Sequence, residues 1–249
     1  MVTIGNIHIK SFCFNPFREN SYLLWDKGRN CVIVDPGCYD PSEIGTMKDF
    51  IASEGLTPKA IWLTHGHFDH IFGVAELSSS FRIPVLMAPD DKFIIERDAD
   101  YARGVGLLTP DVSFETKELS DGQSLRISQD DNDAILNDSE ESPTFKVIAT
   151  PGHTPGCVCF YDEEDGVLLS GDTLFAGSIG RTDLDGGDYD KEIVGIMEKL
   201  MILPGDVEVF PGHGPSSSIA VERTSNPFLQ PFNEPWENDF HTENDDLCI

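Results

Sequence analysis

Three features of the sequence predict an α/β fold in which sheets are covered by helices. Short β-rich runs alternate with helical patterns along most of the chain, and this interleaving is typical of layered α/β domains. The length of 249 residues suits one large domain with a substantial core. Several apolar runs also end in glycine-rich turns, where the loops of α/β scaffolds commonly form binding sites.

The individual elements are predicted from the spacing of apolar residues and from the glycines and prolines that bound each run. Predicted strands in the first half of the chain cover residues 7–12, 21–25, 31–37, 60–64 and 84–89. Predicted strands in the second half cover residues 124–127, 145–152, 158–162, 167–172 and 207–212. A helix opens at Pro41 and closes at Gly55, because apolar residues recur there at helical spacing. Further helices are expected over residues 69–77, 90–102 and 189–202.

Two stretches depart from this rhythm. Residues 129–142 are acidic and lie between predicted strands; we expect a solvated insertion, since the glycine of a Ca²⁺-binding loop is missing. Residues 226–249 carry aromatic side chains among prolines and acids. We therefore expect a domain over residues 1–225, followed by a tail that wraps the domain or contacts a second copy of the chain in a homodimer.

Charge and composition exclude several classes of function. The chain has 17 basic and 44 acidic residues and a net charge of -27, a field that repels phosphate backbones and anionic lipids. Nucleic acid and membranes are not expected partners. No secretory leader or long apolar run is visible, which indicates a cytoplasmic protein. Six cysteines without a Cys-x-x-Cys pair do not form a disulfide framework, and Cys157 and Cys159 are expected to be buried thiols.

Histidine is concentrated in one place. Three of the seven histidines, together with one aspartate, fall in the segment HGHFDH, which follows a predicted buried strand. Clustered imidazoles are poor core fillers because each ring nitrogen needs a partner, and they are common metal ligands. His65 and His67 can project to the same side, whereas Asp69 and His70 begin the next helix and point elsewhere. One segment could thus serve two neighbouring ions.

Further ligands stand at other strand ends. His153 follows the strand at 145–152, Asp172 ends the strand at 167–172, and His213 follows the strand at 207–212. Five of the seven histidines therefore share this placement, and His8 and His241 are expected to be ordinary. Histidine and carboxylate ligands indicate a catalytic centre, because structural zinc sites are usually rich in cysteine.

This set resembles the metal-binding signature of the metallo-β-lactamase-fold superfamily, and the resemblance extends over most of the chain. It implies a four-layer αββα sandwich with two metal ions at one edge of the sheets. The implied ions are zinc, with iron or manganese as alternatives. It places His65, His67 and His153 on the first ion, Asp69, His70 and His213 on the second, and Asp172 between both. Asp35 matches an early element that supports the metal loop.

Within the superfamily, residues 171–183 are similar to a stretch of the glyoxalase II (hydroxyacylglutathione hydrolase) branch and its short, single-domain relatives. Aspartate at position 172, where many zinc β-lactamases carry cysteine, argues against antibiotic hydrolysis. Arg181 and Asp183 are expected to form a buried ion pair that shapes a loop, with substrate contact by Arg181 as the alternative. The full-length enzymes grip glutathione with basic residues in a C-terminal helical domain, whereas only Arg223 is basic after His213.

The implied reaction is hydrolysis of a small-molecule thioester. Two divalent ions about 3.5–4 Å apart can share a water and lower its pKa toward about 7. The resulting bridging hydroxide attacks the thioester carbonyl, Asp172 holds both ions, and Asp69 passes the proton on. Two alternatives stay open: a persulfide dioxygenase with one iron, which the family also contains, and a lactonase or other esterase.

Overall fold

Two β-sheets packed face to face form the centre of the molecule, and helices cover the outer face of each sheet. The computed structural model describes residues 1–104, 106–129 and 142–230. The two large sheets have seven and six strands. This arrangement confirms the α/β class and the four-layer αββα sandwich expected from the resemblance.

The first sheet is antiparallel at its amino-terminal end and parallel at the other. Its strands, in spatial order, are β1 (Val2–Ile4), β2 (Ile7–Phe14), β3 (Glu19–Trp25), β4 (Asn30–Val34), β5 (Thr57–Trp62), β6 (Val85–Met87) and β7 (Thr116–Glu118). Pairing is antiparallel from β1 to β4 and parallel from β4 to β7. Burial along β2 alternates, as expected for a strand with one face on the core.

The second sheet is built from the other half of the chain. Its strands in sequence order are β8 (Ser124–Arg126), β9 (Thr144–Ala149), β10 (Val158–Asp162), β11 (Val167–Gly171), β14 (Glu208–Pro211) and β15 (Ser217–Ser218), and a separate hairpin is formed by β12 (Leu174–Phe175) and β13 (Ser178–Ile179). β11 and β14 are parallel, and β9 runs in the same direction because β10 is antiparallel to both β9 and β11. The carboxyl ends of β9, β11 and β14 therefore meet at one edge.

Three separate apolar clusters fill the three spaces between the four layers. The cluster between the sheets includes Trp62 from β5 and Phe145 and Phe160 from β9 and β10. A second cluster joins the other face of the first sheet to its helices, and a third, which includes Ile196, does the same for the second sheet. Because each sheet is covered on both faces, its central strands are almost completely buried.

The helices agree with the predicted ones with three differences, one of which is that the helix over residues 219–225 was not predicted. They are α1 (Pro41–Ser53), α2 (Phe68–Ile71), α3 (Val74–Phe81), α4 (Lys92–Gly104), α5 (Tyr189–Gly195) and α6 (Ile219–Ser225). Asp40 caps α1 by accepting hydrogen bonds from the backbone N–H groups of Ser42 and Glu43. The single helix expected over 69–77 is instead α2 and α3, separated at Gly73, whose N–H donates to the carbonyl of Pro36.

The helix expected over 189–202 is also not uniform, because α5 continues as a π-helical turn over Ile196–Leu200. Five short strands were not predicted: β1, β7, β12, β13 and β15 have two or three residues each. Runs this short carry no measurable period, so their pairing is decided by neighbouring strands.

The two irregular stretches are only partly described. Within the acidic insertion, residues 130–141 lie outside the described residues; its ends join the antiparallel pair β8 and β9. Of the tail, residues 226–230 pack on the domain through the fully buried Leu229, and residues 231–249, including His241, lie outside the described residues. None of the described helices is long and apolar enough to cross a bilayer.

Candidate metal centre

All seven predicted ligand side chains meet at the edge where the two sheets come together. The segment after β5 carries His65 to His70, and the segments after β9, β11 and β14 carry the other three. The sheets are joined at this edge by a hydrogen bond of 2.9 Å from the N–H of Val158 to the carbonyl of Thr64. Gly171, with φ of 49°, permits this approach, because a Cβ there would collide with the Thr64 side chain.

The first group of side chains is entirely histidine. His65, His67 and His153 each place a ring nitrogen within 4.8 Å of the other two, and all three side chains are buried. His67 Nδ1 and His153 Nε2 lie 2.9 Å apart. Three imidazoles converging on one point with little other hydrogen bonding form a cradle suited to a metal ion such as zinc.

The second group adds a carboxylate and opens toward solvent. Asp69, His70 and His213 offer ligand atoms within 4.8 Å of one another, and Asp69 Oδ2 lies 3.3 Å from His213 Nε2. Asp172 stands between the two groups. Its carboxylate oxygens lie 3.4 Å from His70 Nε2 and 3.6 Å from both His153 Nε2 and His213 Nε2, so it contacts histidines of both groups.

Hydrogen bonds behind the rings fix which nitrogen faces the cluster. His153 Nδ1 donates to the carbonyl of Arg181 at 2.7 Å, and His70 Nδ1 donates to Asp35 Oδ2 at 3.1 Å. Each ring therefore presents Nε2 to the cluster, as metal-bound histidines do. His65 Nε2 is buried without a hydrogen-bond partner. Such an atom is costly unless something binds it, so the residues present fit a bound cation.

A third grouping, of Asp35, His65 and His70, is also close enough to hold an ion. The Asp35 carboxylate is already used, because it accepts hydrogen bonds from the backbone N–H and hydroxyl of Thr64 as well as from His70. Asp35 also adopts the left-handed backbone region with φ of 46°, a strained conformation for a non-glycine residue. This matches the supporting role expected for the turn at Asp35.

Electrostatics divides the cluster into neutral and charged members. Burial, followed by the nearby charge of His153, lowers the pKa of His67 to about 3. Burial, followed by His70, lowers the pKa of His65 well below its ordinary value. Both rings are thus neutral at pH 7, the state in which imidazole binds metal.

The pKa values of His70, Asp172 and Asp69 shift in the direction that favours their charged forms. Although burial disfavours the charged forms, the carboxylates of Asp172 and Asp69 raise the pKa of His70 well above its ordinary value. The charge of His70 in turn lowers the pKa of Asp172 well below its ordinary value and also lowers that of Asp69, against the effect of burial. Both carboxylates are therefore ionised at neutral pH and available as ligands.

Two buried acids that the sequence did not single out hold the ligand loops. Asp91 accepts hydrogen bonds from the N–H groups of Gly66 and Gly156 and from the hydroxyl of Thr154, which joins the loop of His65 and His67 to the loop of His153. Glu192, in α5, accepts from the backbone N–H of His153 at 2.8 Å. Both side chains are fully buried.

A third acid, Asp98, faces the ring nitrogen of His67 that points away from the cluster. Asp98 Oδ2, in α4, lies 4.0 Å from His67 Nε2, and both side chains are less than a tenth exposed. Since His67 presents Nδ1 to the cluster, the Asp98 carboxylate places a charge behind the ring, at ion-pair distance from a nitrogen that makes no hydrogen bond. No signal in the sequence separates these three acids from the other members of a set of 44; only their buried positions behind the ligand loops do.

The cluster lies at the floor of a cleft of about 850 Å³. Arg181 lines this cleft, but its ion pair with Asp183 is exposed, with 60% and 71% of the side chains accessible. The expectation of a buried pair is wrong, because both residues lie in the loop that follows β13 and project to solvent. His8 is remote from the cluster and stacks on Trp25.

The fold and the cluster together define a layered α/β protein with a candidate two-metal site between its sheets. The chain belongs to the metallo-beta-lactamase superfamily of metal-dependent hydrolases, since the sequence model of that superfamily matches residues 14–213. Hydroxyacylglutathione hydrolase GloC of Haemophilus influenzae is 34% identical over 215 residues, which cover 86% of this chain and 93% of that relative.

Solved structures agree with this membership. The chain is similar to the crystal structure of the BLEG-1 B3 metallo-beta-lactamase, with a TM-score of 0.77, 35% identity and coverage of 89% of this chain and 99% of that one. It is also similar to TTHA1623 in a di-iron-bound form, with a TM-score of 0.74, 36% identity and coverage of 88% and 100%. The two ligand groups and the di-iron-bound neighbour support a site for two metal ions.

Proposed function

We propose that this protein is a binuclear, zinc-dependent hydrolase of small thioesters, of the glyoxalase II type. The observation that carries the proposal is the arrangement of two three-residue groups with Asp172 in contact with both, at the floor of an open cleft. The name of the GloC relative supports a hydroxyacylglutathione-type thioester as the substrate class. We propose a cytoplasmic location for the reaction.

The proposed ligands are the seven residues of the cluster. His65, His67 and His153 would hold one ion and Asp69, His70 and His213 the other, while Asp172 would contact both. When bound, two divalent ions supply a water of lowered pKa and polarise the carbonyl to be attacked. The protein's contribution is to hold these ligands in place with buried hydrogen bonds, so that little reorganisation is needed during the reaction.

Asp69 is the residue placed to move a proton. Its carboxylate is 14% exposed, lies in the wall of the cleft and contacts His213. A bound divalent ion would favour the ionised form of this carboxylate, as the charge of His70 does against the effect of burial, by lowering its pKa. The carboxylate can therefore accept a proton from the attacking water at an oxygen and deliver it to the departing thiolate.

Water is the nucleophile that the cleft favours. None of the described residues that line it is a serine or a cysteine. Cys157 is the cysteine nearest in sequence to a ligand, and it is fully buried with its pKa raised well above the ordinary value by that burial. A thiol in that state is a poor nucleophile. A covalent acyl-enzyme on these side chains is therefore not part of the proposal.

The test combines metal content with turnover. Protein purified without added metal and protein reconstituted with zinc are assayed by elemental analysis and by hydrolysis of S-lactoylglutathione. Two zinc ions per chain with thioester hydrolysis support the proposal. One iron per chain with oxygen uptake on glutathione persulfide would replace it with a dioxygenase. Hydrolysis of a β-lactam but not of thioesters would replace it with the activity in the name of the BLEG-1 neighbour.

A further inference from the structure

The turn between β2 and β3 contacts the backbone of two candidate ligand segments. We call residues 15–20, which form this turn and the first two positions of β3, the hairpin end. Glu19 forms an isolated antiparallel bridge with His213, and the backbone N–H of Asn20 donates to the carbonyl of Gly212 at 2.7 Å. The first sheet is therefore joined at this point to the segment that follows β14 of the second sheet.

The side chain of Asn20 holds the His213 segment on both sides of the ligand. Its Nδ2 donates to the carbonyl of Pro211 at 3.0 Å and to that of Gly214 at 2.8 Å. Both N–H bonds of the amide are thus used, and a donor is the group that fits between two carbonyls. The hydroxyl of Tyr22 also donates to the carbonyl of Pro211, at 2.7 Å. Asn20 therefore spans the segment from which His213 projects.

The His213 segment needs such support because glycines flank the ligand. Gly212 and Gly214 have more conformational freedom than other residues, and Gly214 has a φ of 78°. A Cβ at position 212 would collide with the Asp172 carboxylate, so a stiffer residue does not fit there. The N–H of Gly212 also donates to the carbonyl of Gly171 at 2.8 Å, which joins the segment to the second sheet.

Burial distinguishes His213 from the histidines of the first group. Its side chain is 28% exposed, whereas His65, His67 and His153 are each less than a tenth exposed. A ring that is closely packed on all sides is held by those contacts. The position of His213 therefore depends more on hydrogen bonds to its own backbone segment.

Asn15 makes a similar contact with the segment of Asp69. Its Nδ2 donates to the carbonyl of Asp69 at 2.9 Å and to that of Gly37 at 3.0 Å. Its Oδ1 accepts from the N–H of Phe17 at 3.0 Å, and its own N–H donates to the Glu43 carboxylate. Asn15 has a φ of 53°, in a region that asparagine adopts more readily than most residues. The hairpin end thus contacts two members of the second group.

The first group is held by other parts of the chain. Asp91 joins the loop of His65 and His67 to the loop of His153, and Glu192 accepts from the backbone N–H of His153. The hydrogen bonds of the hairpin end described above reach the segments of the second group. The two groups of candidate ligands therefore have separate supports.

We propose that Asn15 and Asn20 are positioning residues for the second metal ion, so that the hairpin end sets the affinity of that ion and leaves the affinity of the first unchanged. Asn20 acts through the backbone on either side of His213, and Asn15 acts through the carbonyl of Asp69. Neither side chain is a proposed ligand. This inference rests on the proposed two-ion ligand set and is independent of the substrate.

The test measures the affinity of each ion in Asn20→Ala and Asn15→Ala. The metal-free proteins are titrated with zinc in competition with a coloured chelator. Each substitution should weaken the second zinc by at least about tenfold, because changes behind metal ligands commonly cost about 10- to 100-fold in affinity. The first zinc should bind as it does in the wild type, since Asp91 and Glu192 are unchanged.

Asn30→Ala is the matched control. Asn30 is half-buried, as Asn15 and Asn20 are, and its Nδ2 donates to the Asp26 carboxylate at 3.1 Å. It begins β4, at the end of the parallel strands opposite to the ligands. The same chemical change at this position should leave both zinc affinities unaltered.

Cobalt(II) shows which site is affected. The first group offers three imidazoles and the second offers two imidazoles and a carboxylate, so cobalt in the two sites should give different visible absorption bands. In both variants the band of the first group should be retained, and the band of the second group should appear at higher cobalt concentrations than in the wild type. Equal weakening of both bands would mean that the asparagines support the whole fold and would overturn the inference.

The same titrations separate this inference from the proposed function. A wild type that binds two zinc ions but hydrolyses no thioester, with a weaker second ion in both variants, would refute only the proposed reaction. Two ions bound with unchanged affinity in both variants would overturn the inference alone. A wild type that binds no more than one ion would overturn the proposed ligand set and this inference with it.

Discussion

Carboxylates serve different purposes at the metal centre and at the rim of the cleft above it. Beneath the metal centre, Asp91 and Glu192 are fully buried and accept hydrogen bonds from backbone N–H groups of the ligand loops. At the rim of the cleft, Asp183 and Asp185 are more than two-thirds exposed and pair with arginines. The buried acids hold the ligand loops in position, whereas the exposed acids set the charge of the cleft.

The difference in burial determines how much each acid contributes to stability. A buried acceptor that is removed leaves its donors without water, at a cost of about 1–3 kcal/mol for each polar group. An exposed ion pair is screened by solvent and contributes little to folding. Substitutions beneath the metal centre should therefore affect metal binding or stability, whereas substitutions of the exposed acids at the rim of the cleft should affect neither.

The largest effect is expected for Asp172→Ala. This change removes the carboxylate in contact with histidines of both groups, so metal content should fall below two ions per chain and kcat/KM should fall by about a thousandfold. Elemental analysis and thioester turnover measure the two effects. The control Asp206→Ala should retain both, and full metal content with full activity in Asp172→Ala would contradict the proposed ligand set.

Asp91→Ala should be the most destabilising of the substitutions that spare the ligands. It leaves the N–H groups of Gly66 and Gly156 and the Thr154 hydroxyl without their acceptor, so we expect a loss of about 3 kcal/mol in the free energy of unfolding. The neighbouring exposed Asp90→Ala should cost less than about 0.5 kcal/mol. Equal costs in urea unfolding would show that Asp91 does not join the loops.

A smaller effect is expected for Asp98→Asn. The charge behind His67 Nε2 is lost while the side-chain shape is kept, and metal affinity should fall roughly tenfold. Competition with a coloured chelator measures this affinity. Asp100→Asn is the matched control on α4, since Asp100 is 76% exposed and pairs only with Arg103 in its described ion pairs. Unchanged affinity in Asp98→Asn would refute an electrostatic role of Asp98 behind His67.

The smallest effect on folding is expected for Asp183→Asn. Both members of its ion pair are exposed, so the unfolding midpoint should not move beyond experimental error. A lowered midpoint would mean that Asp183 shapes the loop, as the sequence led us to expect, and would remove the contrast between the two groups of acids.

The candidate ligands were predictable because histidine is rare in this chain and its placement is specific. Five of seven histidines follow strand ends, and the segment from His65 to His70 matches a known signature. The buried acids behind the candidate ligands, Asp91, Asp98 and Glu192, could not be predicted in the same way. Asp91 and Asp98 have sequence surroundings similar to those of the exposed Asp90 and Asp100, so only their positions in the fold distinguish them.

By itself, the sequence determined the α/β class, most of the longer elements and the candidate ligands, since hydrophobic period, turn residues and clustered histidines are local properties. The tertiary structure alone decided which acids are buried beneath the ligand loops, where the helix after His70 is interrupted, and that Arg181 and Asp183 pair at an exposed cleft. These features depend on contacts between residues far apart in the chain, and local patterns do not record the burial that those contacts produce.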